Sequence, residues 1–119
     1  MRYALSVLIL ALLFAGPSSA GKEYSCNMAA FSAEELARYG ELSKTLHASV
    51  QETKELRSGY VFKLTADALV SASEWISYER LCCPFFDFAI EAPRDSGPLW
   101  LRITGDRGVK EFIKTEFEL

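Results

Sequence analysis

Three cysteines are the residues of this chain that point most directly to chemistry. Cys26 stands alone, whereas Cys82 and Cys83 are adjacent in the segment ERLCCPFFDF, residues 79–88. Thiolates select soft or borderline ions such as Cu(I), Zn(II) or mercury-like ions. Glu79 precedes the cysteine pair by one helical turn, where its carboxylate can serve as a harder ligand or orient the site. If the N-terminal segment folds back, these four residues are predicted to form a soft-metal or thiol site.

The same cysteines also permit a structural disulfide. Three is an odd number, so one thiol stays free in an oxidising compartment unless the chain dimerises or binds a ligand. A bond from Cys26 to the pair closes a loop of roughly 57 residues, which stabilises the fold by about 4 kcal/mol in the chain-entropy estimate. A bond between Cys82 and Cys83 closes no loop and forces an unusual local geometry. A structural bond should therefore use Cys26, and either neighbour can be its partner.

An enzymatic use of the cysteines is the third hypothesis. Reactive thiolates usually form at helix N-termini or beside cations, whereas this pair follows a helix and a carboxylate, and only Arg80 opposes that field. The single histidine, His47, is far from the cysteines in sequence, and neither a nucleophile elbow nor a Gly-rich phosphate loop is present. We assign no catalytic residue and no organic cofactor. We expect a binding protein rather than an enzyme with Cys82 or Cys83 as its nucleophile.

The N-terminal segment has the features of a secretory signal. It has a short basic start, an uncharged apolar stretch over residues 4–16, and small residues before a cut after Ala20. The apolar stretch is shorter than the roughly 20 residues that span a bilayer, so we predict no stable membrane anchor after cleavage. We expect residues 1–20 to be a cleavable signal peptide, residues 21–119 to be one domain, and the protein to be periplasmic or secreted.

Charge and composition restrict the partners. The chain has 13 Lys and Arg against 16 Asp and Glu, and cleavage after Ala20 removes one basic residue, Arg2. The remaining chain is mildly acidic and has no basic stripe, which argues against nucleic-acid binding. We expect a soft metal ion or a protein as partner. For the protein, an exposed aromatic set around Phe85 and Trp100 is the candidate surface.

The hydrophobic patterns predict three helices and two hairpins. A capping box at Ser32 and Glu35 starts the first helix near Ala33. The first hairpin has Gly59 in its turn, and the second follows Pro84, which ends the middle helix. Two further caps are predicted at Thr65 and Asp106. The predicted apolar stripes are Leu36, Tyr39, Leu42 and Leu46 in the first helix; Leu69, Ala72, Ile76 and Cys83 in the second, with Glu79 on or near that line; and Val109, Phe112, Ile113 and Phe117 in the third.

These elements occur in the order α-ββ-α-ββ-α. Two hairpins in one small domain predict a four-stranded antiparallel sheet, and three amphipathic helices are expected to cover one of its faces. We therefore predict an α+β fold.

The mature chain resembles a family of small, mostly uncharacterised bacterial proteins. They share an early cysteine, a GY-x-F strand, an ER-x-CCPF-x-x-F segment and a GP-x-WL-x-x-TG-x-x-GVK-x-F ending, which here begin at Cys26, Gly59, Glu79 and Gly97. The family has no established reaction to carry over. Many of its members have no export signal, and this chain departs from them in its predicted one. The resemblance implies that the three cysteines of some relatives work in a reducing cytosol, where a structural disulfide is uncommon, although export could have given the same residues another use. This favours a thiol or metal site.

Overall fold

The computed structural model describes residues 24–119, and the predicted signal peptide lies outside them. No helix among the described residues is long and apolar enough to cross a membrane. The α+β fold and the predicted order α-ββ-α-ββ-α are confirmed. The elements are α1 (Ala33–Ser49), β1 (Val50–Leu56), β2 (Gly59–Leu64), α2 (Leu69–Cys82), β3 (Asp87–Glu91), β4 (Leu99–Thr104) and α3 (Val109–Glu116).

The four strands form one antiparallel sheet in the order β1-β2-β4-β3. The two hairpins meet at the central pair, where Phe62 of β2 is opposite Leu101 of β4. Both side chains are buried on the face that the helices cover, whereas the neighbouring Arg102 is exposed on the other face. Alternation along the strands therefore separates a helix-covered core face from a solvent-facing one.

Helix α1 begins as its sequence predicts. The Ser32 hydroxyl accepts a hydrogen bond from the Glu35 amide, and the Glu35 carboxylate accepts one from the Ser32 amide, so the capping box is complete. Leu42 and Leu46 on the predicted stripe are buried, while Leu36 near the N-terminus remains 37% exposed.

Helix α2 differs from its prediction in its start and its buried face. Thr65 makes no side-chain cap, because a short 3-10 turn over Ala66–Ala68 precedes the helix. The predicted stripe is buried at Ala72 and Cys83, but Leu69 is 39% exposed, and the other buried residues of the helix are Trp75, Glu79 and Cys82. Trp75 is central to this face, since its ring packs edge-on against Phe88 of β3 at 5.9 Å. The helix ends at Cys82, before Pro84, as predicted.

One turn and one helix cap differ from their predictions, and each involves a glycine. Gly59 is the first residue of β2, because Arg57 and Ser58 make the turn. A side chain at position 59 would collide with the Ile103 carbonyl oxygen of β4. Before α3, the N-cap is Gly108 with φ at 95°, a left-handed conformation that suits glycine, and so Asp106 is not the cap.

Candidate cysteine site

A disulfide joins Cys26 to Cys83 across a sequence separation of 57 residues. Cys83 is the first residue after α2, and the N-terminal segment approaches it because the Asn27 amide donates a 2.8 Å hydrogen bond to the Cys82 carbonyl. The Cα atoms of the bonded cysteines are 4.9 Å apart, within the usual range for disulfides. The sequence left Cys82 and Cys83 as possible partners of Cys26, and the structure pairs it with Cys83.

Cys82 is the free thiol, and it is fully buried. Its Sγ lies 3.5 Å from Cys83 Sγ and 3.8 Å from the carbonyl oxygen of Glu79. Burial, followed by the nearby Glu79 carboxylate, raises the pKa of Cys82 to about 11. At neutral pH this residue is therefore a protonated thiol, which is a poor nucleophile.

Glu79 is a buried carboxyl group with a single side-chain donor among residues 24–119. The Tyr39 hydroxyl of α1 donates a hydrogen bond to its Oε1 atom, and no described Lys, Arg or His forms an ion pair with it. Burial is the main reason that the pKa of Glu79 rises to about 7; the Tyr39 hydrogen bond opposes this rise, and the negative charge of Glu116 adds to it. The same environment raises the pKa of Tyr39.

Two further polar contacts join α1 to α2 near the Tyr39 hydrogen bond. Arg38 donates to both carboxylate oxygens of Glu74, at 2.9 and 2.6 Å. The indole of Trp75 donates to the Ser43 hydroxyl at 3.2 Å. These contacts fix the register of the two helices and so position Tyr39 opposite Glu79.

The predicted ligand residues converge. One ligand atom from each of Cys26, Glu79, Cys82 and Cys83 lies within 4.8 Å of the other three. Sulfur ligands at about 2.3 Å in a tetrahedral site are roughly 3.7 Å apart, so the Cys82–Cys83 spacing already suits one ion. The Cys26 and Cys83 sulfurs become ligands only after their bond is reduced and they separate to a similar spacing.

A cavity of about 190 Å³ adjoins the cluster. Cys26 and Glu79 line it from the cluster side, and exposed His47 and Glu116 line it towards solvent. Its remaining walls are mostly aromatic. The cavity therefore connects the cluster to the protein surface, as an ion-binding site requires.

Sequence reasoning missed part of this environment. It identified the four clustered residues, but it assigned Tyr39 only to the core of α1 and gave Glu116 no role near Glu79. Tyr39 and Glu79 are 40 positions apart, and their contact depends on helix packing that no local spacing reveals.

The predicted aromatic patch is not one surface. Phe85 packs against Tyr24 at 4.7 Å and Phe112 at 5.2 Å. Trp100 lies on the helix-free face of the sheet, with the ammonium groups of Lys54 and Lys63 at 5.0 and 5.8 Å from its ring. The two aromatic groups therefore cannot act as a single continuous binding surface.

These contacts and charges are the basis for assigning a function to the chain. It matches no protein-family model, no curated protein and no solved structure at a significant level.

Proposed function

We propose that this chain is a small exported binding protein that holds one soft metal ion in its reduced state. The ligands are the sulfurs of Cys26, Cys82 and Cys83, with Glu79 as a fourth ligand or as a partner of a bound water. The observation that supports this proposal is the convergence of their four ligand atoms within 4.8 Å.

The chemistry of the four groups favours a soft or borderline cation. Three sulfurs select Cu(I), Zn(II), Cd(II) or similar ions over Mg²⁺ and Ca²⁺, which take oxygen ligands. A cation would also stabilise the ionised forms of Glu79 and Cys82, because burial alone disfavours their charges.

The Cys26–Cys83 bond makes this binding depend on redox state. In the disulfide form two of the three sulfurs are bonded to each other, and Cys82 alone is a thiol. Reduction supplies the two missing ligands, and the hydrogen bond from the Asn27 amide to the Cys82 carbonyl favours a position of the N-terminal segment near the helix end. The reduced protein is the binding form.

Cadmium titration of the reduced and oxidised proteins tests the proposal. The reduced chain, kept free of oxygen and excess reductant, should take up one Cd²⁺, develop sulfur-to-metal absorption in the ultraviolet and lose the reactivity of all three thiols. The oxidised chain should bind none. Cys26→Ser and Cys82→Ser should each weaken binding, whereas Ser77→Ala, which removes an exposed hydroxyl of α2 outside the site, is the matched control. A reduced chain that binds cadmium no better than Cys82→Ser contradicts the proposal.

The disulfide itself favours a second candidate, a stapled interaction module with no metal. Val70 and Leu81 on α2 are 79% and 60% exposed, so the helix also presents apolar side chains to solvent. Thiol counting on protein taken from the exported compartment separates the candidates. One free thiol, no bound metal and no metal uptake after reduction favour the module.

A further inference from the structure

We infer that the reduced site prefers trivalent arsenic or antimony, taken up from their neutral hydroxides, over divalent cations. This inference rests on the proposed function and names the class of ligand for the same cluster. Its basis is the combination of three converging sulfurs with a buried environment that contains a carboxylate and no cation.

The first step is a charge balance. Among residues 24–119 the buried polar or charged residues are Ser49 and Glu79, and no lysine or arginine is buried with them. Three thiolates and the Glu79 carboxylate carry four negative charges, so a divalent ion leaves two of them uncompensated. Buried net charge without a partner is costly. A divalent ion therefore suits the sulfur ligands of this site but does not neutralise its negative charge.

A trivalent metalloid lowers this cost, because its product with three thiols carries no charge and leaves at most the Glu79 carboxylate uncompensated. The hydroxide As(OH)₃ reacts with three thiols: three As–O bonds break, three As–S bonds form, and each thiol proton leaves with a hydroxide as water. Arsenic stays trivalent, so this step transfers no electrons, and the product is neutral. The disulfide must first be reduced by a thiol reductant, which is itself oxidised to a disulfide.

The geometry also suits three sulfurs without a fourth ligand. Trivalent arsenic is pyramidal, with a lone pair opposite its three bonds, so its sulfurs must lie on one side of it. The Cys82 and Cys83 sulfurs are 3.5 Å apart on α2 and its end, and Cys26 approaches Cys83 from the N-terminal segment. The cavity that Cys26 lines gives a small neutral hydroxide a route to them. Glu79 then acts as a neighbour and not as a ligand.

The test compares sodium arsenite with Cd²⁺ on the full reduced chain. Mass spectrometry under native conditions should show one arsenic bound with the loss of three hydrogens, and all three thiols should become unreactive. Cys26→Ser and Cys82→Ser should each weaken arsenite binding by at least roughly tenfold, which corresponds to about 1.4 kcal/mol. Phenylarsonous acid, which takes two thiols, should still bind Cys82→Ser, and this retained binding shows that the variant keeps its other two thiols in place.

Glu79→Gln provides the charge test, because it removes the charge but keeps an oxygen for Tyr39. The ratio of cadmium to arsenite affinity should rise in this variant, because a divalent ion then leaves one negative charge uncompensated instead of two. Arsenite binding that is weaker than cadmium binding, or equal in the wild type and Cys82→Ser, overturns the inference but leaves the proposed function. If neither reagent binds the reduced chain, both are wrong. Circular dichroism of Cys26→Ser, Cys82→Ser and a second variant, Cys82→Ala, shows whether each one is folded. Weak binding by a folded variant is then not caused by loss of fold.

Discussion

The sulfur of Cys82 lies 3.5 Å from the sulfur of Cys83, yet only Cys83 is bonded to Cys26. The helix explains this asymmetry, because Cys82 is its last residue and belongs to its buried face, whereas Cys83 is the cap and has left the helical conformation. The disulfide therefore forms at the residue that follows the helix, and the free thiol is the last residue of the helix beside it.

Loss of the disulfide should destabilise the fold. Because the bond joins residues 57 positions apart, the chain-entropy estimate for Cys26→Ser is a loss of about 4 kcal/mol in the free energy of unfolding. Urea unfolding of the wild type with and without reductant, and of Cys26→Ser, measures it. The reduced wild type should match the variant.

Cys82→Ala is the matched control for this experiment. It removes a buried sulfur but keeps the bond, so we expect a loss of roughly 1 kcal/mol from the small cavity. The stability of Cys82→Ala should still fall on reduction. If reductant leaves both wild type and Cys82→Ala unchanged, the bond does not contribute to stability.

Alkylation of the oxidised protein should be slow at neutral pH. The only free thiol is Cys82, which is fully buried and has a pKa raised to about 11. While the pH is below that pKa, the alkylation rate should increase about tenfold for each unit by which the pH is raised, because the thiolate is the reacting form. Iodoacetamide labelling followed by mass spectrometry, with the urea-unfolded chain as reference, measures both effects. Native labelling as fast as in the unfolded chain contradicts the burial of Cys82.

The sequence was sufficient for the fold and for the approach of Cys26 to the cysteine pair. Strand alternation, the capping box at Ser32 and the break at Pro84 are local signals, and each one predicted its element correctly. The pairing of Cys26 with Cys83 was not predictable, since neighbouring residues close loops of nearly the same length. Cys82 and Cys83 differ only in their position relative to the end of α2, which lies between them.

The buried face of α2 was harder to predict for a related reason. This helix contacts α1 as well as the sheet, so its buried residues include Trp75, which hydrogen-bonds Ser43 of α1 and packs on Phe88 of β3. Periodicity predicted the buried face at Ala72 and near Glu79, whereas packing between two layers also buries Cys82 and leaves Leu69 39% exposed. Glu79 belongs to the buried face through its hydrogen bond with Tyr39.

Glu79 should make the oxidised protein less stable as pH rises. Its pKa is about 7 in the folded protein against an ordinary value of 4.5, so the folded state binds the extra proton between these values. Stability from this group is present below about pH 4.5 and is lost as pH rises through about 7. The total is at most about 3 kcal/mol. Urea unfolding across this range should show the decline in the wild type and not in Glu79→Gln.

Glu74 is the control, because its pKa is shifted in the direction opposite to that of Glu79. Its hydrogen bond from Arg38 lowers its pKa below 4.5, so its stabilisation is present above the ordinary value and is lost as pH falls below it. Glu74→Gln should therefore leave the decline between about pH 4.5 and 7 intact. If the decline disappears in Glu74→Gln and persists in Glu79→Gln, Glu74 causes it and the prediction for Glu79 is wrong.

Tyr39→Phe should destabilise the protein more at high pH than at low pH. The Tyr39 hydroxyl donates to Glu79, and its loss should raise the pKa of Glu79 further, because that hydrogen bond stabilises the ionised carboxylate. Hydrogen bonds to charged groups contribute about 1.5–3 kcal/mol and those to neutral groups about 1 kcal/mol. The difference in unfolding free energy between wild type and Tyr39→Phe should therefore be larger near pH 8 than near pH 5, where Glu79 is protonated. Equal differences at the two pH values would show that the hydroxyl does not stabilise the carboxylate, and NMR titration of Glu79 in both proteins gives an independent measurement.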